Sequence, residues 1–181
     1  MRRMAVLLMD LQVDFLNPTG RWPVDRDGAA RVLAVANTVL ADGLPGALPV
    51  IVMNAFPRAH VLANFFRRHA AIEGSSGAQL DPRICLPAGT PTFTKAAASA
   101  FSNPTLHPFL QAQAVTTLCI IGVFAEGCIR ATALAGRALG YPVWVPLDAI
   151  ATNAPWKLRL ATWFMRRHGV VLPAMLGQIS S

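Results

Sequence analysis

With 54% hydrophobic and 14% charged residues, a chain of 181 amino acids can build a sizeable core and carries too little charge for disorder. No apolar run nears the ~20 residues that cross a bilayer, and Asp10 and Asp14 break the N-terminal stretch a secretory leader would need. One cytoplasmic domain over residues 1–181, without membrane contact, is therefore expected. The formal charge of +7 rests on arginines scattered along the chain, with pairs at 2–3, 67–68 and 166–167 and no nucleic-acid motif. Nucleic acid is thus not an expected partner, whereas arginine enrichment at subunit interfaces makes a homo-oligomer, a dimer or higher, the expected state.

In chain order, residues 4–9 (MAVLLM) read as a buried strand that ends at Asp10. Residues 25–42 open with acidic side chains and set Val32, Ala36, Val39 and Leu40 on one face, predicting a helix. A second strand is expected at 49–54 (PVIVMN). Residues 57–90 are the least legible part, with a loop at 74–77 and a short helix hinted at by Leu62, Phe65 and Phe66. A short third strand at 90–95 ends at Lys95, and residues 104–113 predict a helix with Pro104 at its first position. The run from Val115 to Gly122 is an unbroken β-branched strand, and the Ala- and Leu-rich segment 129–139 is a helix. A strand at 141–146, a helix at 155–168 and a last strand at 170–172 complete the pattern. Strands separated by helices predict a doubly wound, Rossmann-like α/β fold: a parallel sheet of about six strands with helices on both faces.

Sites in such sheets lie beyond the carboxyl ends of the strands. Asp10 and Lys95 end two strands, and Cys128 falls where the central strand hands over to a helix. Unpaired N–H groups and partial positive charge at a helix N-terminus bias a thiol toward thiolate. A cysteine among apolar residues can equally be core filler, which is how Cys119 inside the strand reads. Three cysteines without a CxxC pair argue against a disulfide framework or a zinc knuckle. Asp10 could instead cap a loop, and Lys95 could be an exposed strand-end lysine. Brought to one rim, however, an ammonium would favour the charged sulfur and a carboxylate could shuttle its proton.

The segments LLMDLQVDFLNPTG (7–20), FTKAAASAF (93–101) and IIGVFAEGCIRATALAGRALGYPVWV (120–145), with the following LDA, resemble the isochorismatase-like cysteine hydrolases. That family includes nicotinamidases and N-carbamoylsarcosine amidohydrolases. The resemblance implies a catalytic triad of Asp10, Lys95 and Cys128, a non-proline cis peptide at Val123-Phe124, and an oxyanion site made by the N–H groups of Phe124 and Cys128. Nicotinamidases carry a metal in a DxHPxxH-like segment after the second strand. Here Asn54 and Phe56 replace its first Asp and His, while Pro57 and His60 remain, so neither a metal nor any other cofactor is expected. Isochorismatases proper generally lack the cysteine, and Ala125 stands where the family usually has Thr. Together these point to a metal-independent cysteine hydrolase that cleaves a C–N bond of a small molecule through a thioester. The alternatives are vinyl-ether hydrolysis of the isochorismatase type, or a silent member serving as a binding module. Phe15, Trp22, Phe56 and Phe101 are candidate pocket walls, each equally readable as core.

Overall fold

The computed structural model describes residues 3–41 and 44–179. Six strands form one all-parallel sheet: β1 (Arg3–Met9), β2 (Leu48–Asn54), β3 (Thr92–Lys95), β4 (Val115–Val123), β5 (Val143–Trp144) and β6 (Ile150–Ala151). The order is β3-β2-β1-β4-β5, with β6 paired to the far half of β4. Chain order reverses between β1 and β4, so the crevice at their carboxyl ends is the switch point where such sheets hold ligands. The helices are α1 (Val13–Leu16), α2 (Arg26–Ala41), α3 (Val61–Phe66), α4 (Leu106–Ala112), α5 (Arg130–Ala138) and α6 (Pro155–Arg167).

Both faces of the sheet are covered, which is why β1 and β4 are apolar without alternation. On one side Val6 and Leu8 of β1 and Cys119, Ile121 and Val123 of β4 share a core with Val32, Ala36 and Val39 of α2. On the other, Leu7, Met9, Leu118 and Ile120 meet Leu106 and Leu110 of α4, Ala133 of α5 and Met165 of α6. Each fully buried Leu or Ile contributes about 1.5–3 kcal/mol, so these two layers hold the sheet rigid beneath its rim. Among the described residues, no helix is long and apolar enough to cross a membrane.

Several expectations need correction. Residues 170–172 do not form a strand: Val171 makes one isolated bridge to Trp144, and Pro173 follows, unable to donate to a ladder. The sixth strand is instead the two-residue β6, too short to announce itself. The strand expected at 141–146 shrinks to β5. Pro104 precedes α4 by two residues, because the Asn103 side chain accepts from the Thr105 N–H (2.8 Å) and makes a turn first. The helix expected at 25–42 runs to Ala41, with Asp42 outside the described residues; Asp25 accepts from the Gly28 N–H at 2.7 Å as its cap.

Candidate active site

Three neighbouring strands each end in a polar side chain at the same rim. Asp10 follows β1 in a left-handed conformation (φ 57°) that aspartate tolerates better than most residues, and its N–H donates to Val52 O at 2.8 Å. Asn54 ends β2, and Lys95 ends β3 directly opposite it in register. Gly122 (φ 120°) lies against Met9, where any Cβ would collide with the Met9 carbonyl oxygen. Glycine is therefore what lets β4 close on β1 just before the site. The chain then passes through the Val123-Phe124 bond, which is cis, into a π-helical turn, Ala125–Ile129, that carries Cys128. Cys128 thus sits inside this turn, where Ile129 N–H donates to Phe124 O at 3.2 Å, and not at a plain helix N-terminus; α5 begins only at Arg130.

Lys95 is the hub of the cluster. Its buried Nζ donates to Asp10 Oδ2 at 3.1 Å, Asn54 Oδ1 at 2.7 Å, Ala97 O at 3.3 Å and Cys128 Sγ at 3.2 Å. Asn54 Nδ2 also approaches Cys128 Sγ at 3.7 Å. Burial lifts the Asp10 carboxyl above its ordinary range, and the Lys95 charge only partly draws it back. Burial alone would depress Lys95, but Asp10 and Cys128 overcome it and its ammonium is held more tightly than usual. For Cys128, burial first and Asp10 second push the thiol up to about 12, against the pull of Lys95. Burial and Asp10 thus oppose the bias toward thiolate suggested by the strand-to-helix position, and favour the protonated sulfur. Asp10 Oδ1 is buried and makes no hydrogen bond.

Cys128 and Asn54 form part of the wall of a cavity of about 330 Å³, at the small end of ligand-site volumes. Phe15, Trp22 and Phe56 line it, and so does Phe124, whose ring meets Phe15 edge-on at 5.5 Å and Trp22 at 5.6 Å. Phe101 does not line it. It belongs to the core beneath α5, stacked on Tyr141 at 6.4 Å, a placement that periodicity alone could not distinguish from a pocket wall.

The Isochorismatase domain family matches residues 4–174 of this sequence. The chain belongs to the isochorismatase family. A probable inactive nicotinamidase of Arabidopsis thaliana is 32% identical over 184 residues, which cover 96% of this chain and 93% of the relative. Among solved structures, pyrazinamidase of Pyrococcus horikoshii in complex with zinc is 27% identical with a TM-score of 0.82, covering 93% of this chain and 97% of its own. PnC1 of L. infantum in complex with nicotinate is 25% identical with a TM-score of 0.81, covering 94% of this chain and 91% of its own. Isochorismatase-family relatives of this fold thus include hydrolases of small amides.

One of those isochorismatase-fold relatives holds zinc, and the residues after β2 here do not fit such an ion. The Asn54 amide is engaged by Lys95 and Cys128, and Phe56 offers only carbon. The Arg67 guanidinium, itself a cation, lies 4.0 Å from the centre of the Phe56 ring. His60 is exposed just before α3, and among the described residues no three His, Cys, Asp or Glu side chains gather to hold a metal.

Asn54 is more than the residue that stands in place of a metal ligand, and Gln12 supports it. Gln12 Nε2 donates to Asn54 O (2.7 Å) and Ala78 O (2.6 Å), while its Oε1 accepts from Asn54 N (2.8 Å). It pairs with Asn54 as a neighbouring strand would, and so fixes the end of β2. A polar residue closing the apolar run PVIVMN, level with Asp10 and Lys95, was the signal available for Asn54.

Proposed function

We propose that the protein is a metal-independent cysteine amidohydrolase acting on small molecules. As the substrate carbonyl enters, Asp10 takes the thiol proton while Sγ attacks carbon. The N–H groups of Phe124 and Cys128 hold the oxygen that becomes negative, and Lys95 keeps the emerging charges compensated. Collapse of the adduct breaks the C–N bond, and Asp10 returns the proton to the departing ammonia or amine. Asp10 then activates a water that cleaves the thioester, giving the carboxylic acid and restoring the thiol. The observation that carries this reading is the buried Asp10–Lys95 pair whose ammonium reaches the Cys128 sulfur, with Cys128 on the wall of the cavity. A carboxyl lifted by burial is a stronger base than usual, which suits a thiol that rests protonated.

The test is ammonia release from a panel of small primary amides. Turnover is expected in wild type and in Cys119→Ala, and none in Cys128→Ser. If vinyl ethers but no amides are cleaved, the isochorismatase-type reading replaces this one. The inactive character named for the Arabidopsis relative favours the second alternative, a binding module, which would show ligand binding with no turnover of either class.

A further inference from the structure

The cavity's ion pairs leave one charge over. Lys95 is matched by Asp10 at 3.1 Å beneath the thiol, and Lys157 by Glu126 at 3.4 Å on the wall. Arg67, also on the wall, makes no salt bridge among the described residues. Its guanidinium rests on the Phe56 ring at 4.0 Å, and its Nη1 is buried without a hydrogen-bond partner. A cation–π contact does not replace the hydrogen bonds that a guanidinium loses on leaving water, so this nitrogen is an unmet donor. Its position is defined by the chain, since Arg67 closes α3 with its N–H donating to Ala63 O (3.2 Å) and Asn64 O (3.1 Å).

We propose that Arg67 binds a carboxylate on the substrate, so that the protein acts on anionic small amides, with the carboxylate on Arg67 and the amide at Cys128. This deepens the amidohydrolase reading and rests on it for the word substrate, though the anion site itself does not need turnover. A guanidinium matches a carboxylate with two parallel N–H···O bonds, and the aromatic walls of Phe15, Trp22 and Phe124 exclude water that would weaken them. A neutral amide of the same size would leave the guanidinium unpaired and so be discriminated against.

Two matched pairs of amides test this: succinamate against butyramide, and 4-carbamoylbenzoate against 4-methylbenzamide. Each is scored by how well it protects Cys128 in the full chain from iodoacetamide at alkaline pH, with exposed Cys85 as the internal reference. In wild type the anionic member of at least one pair should protect at about tenfold lower concentration or better, the factor a charge-assisted hydrogen bond supplies. Arg67→Met keeps the apolar packing on Phe56 and should bring that ratio to about one, while Arg67→Lys should retain much of it. Equal protection by both members of both pairs, a ratio untouched by Arg67→Met, or no protection by any of the four would overturn the proposal. Ammonia release measured in parallel separates the two readings. Charge-selective protection without turnover sinks the hydrolase and leaves the anion site, whereas turnover without charge preference does the reverse.

Discussion

Replacing Lys95 by Met removes an ammonium whose three N–H groups are shared among four acceptors, and leaves Asp10 as a buried carboxylate with no cation beside it. Breaking a buried pair by removing one partner costs about 3–5 kcal/mol, a large share of the ~5–15 kcal/mol that holds a domain folded. The cost must depend on pH. Without Lys95 the largest influence opposing burial at Asp10 is gone and only the contacts with Cys128 and Asn54 still oppose it, so its folded pKa climbs further above the ordinary value of 3.8. A carboxyl raised in this way contributes stability that is fully present below 3.8 and lost as pH rises through the raised value. Below that window the variant escapes its penalty, because Asp10 is neutral and the wild type has meanwhile lost its own pair. Above the lysine's ordinary 10.5, the wild type begins to lose the stability that its raised Lys95 supplies, and the two proteins converge again. Urea unfolding of both proteins from acid to alkaline pH should therefore show a destabilisation that peaks near neutrality and shrinks at either end. The same variant should alkylate Cys128 more slowly at a given alkaline pH, since the ammonium no longer draws the thiol down. A penalty of equal size at every pH, or one largest in acid, would refute the claim that Lys95 and Asp10 form a charged pair.

Asn54→Leu should lower kcat well over tenfold with little change in KM, because it removes a partner of Lys95 and of Sγ but leaves the cavity's aromatic and charged walls; an equal rise in KM would instead make Asn54 a substrate contact. Turnover should be indifferent to prolonged chelation, and elemental analysis should find no stoichiometric transition metal; about one zinc, iron or manganese per chain would overturn the reading of Asn54 and Phe56. Gly122→Ala should cost roughly 3 kcal/mol or more in urea unfolding, since the new Cβ meets the Met9 carbonyl oxygen at a backbone angle side chains avoid; a fold of unchanged stability would show that β4 can retreat. A homo-oligomer remains our proposal for the assembly, and light scattering should give a multiple of 19.4 kDa, with a monomeric mass ruling it out.

What was legible from the residues was the part of the chain in which burial and chemistry agree. MAVLLMD shows an unbroken apolar strand and then a single carboxylate, and the structure puts Asp10 at the rim of the sheet. Val115–Val123 told the same story, with Gly122 marking the close approach. The influences opposing ionisation of Cys128 were not legible, because a helix-end argument gives the sign of one influence and neither the desolvation nor the Asp10 charge that opposes it. β6 escaped notice because two residues carry no periodicity, and 170–172 misled because a short apolar run looks alike whether or not it pairs. Phe15 and Phe101 were indistinguishable in sequence; both pack into apolar clusters, and of the two only Phe15 also lines the cavity. Arg67 had no motif around it, since its role depends on which acidic groups are already taken.

The long excursion between β2 and β3 contributes Phe56, Arg67 and Ala70 to the cavity, whereas the polar groups around the sulfur stand on strand ends. Part of the cavity wall is thus encoded apart from the strand ends, and the side chain of Gln12 joins the two, gripping the end of β2 with one hand and Ala78 of the excursion with the other. A lineage can rewrite residues 57–77 and acquire a new substrate without disturbing the reacting groups, provided the carbonyl at position 78 still meets that glutamine. Exchanging this one segment between relatives is then a way to transplant selectivity as a unit.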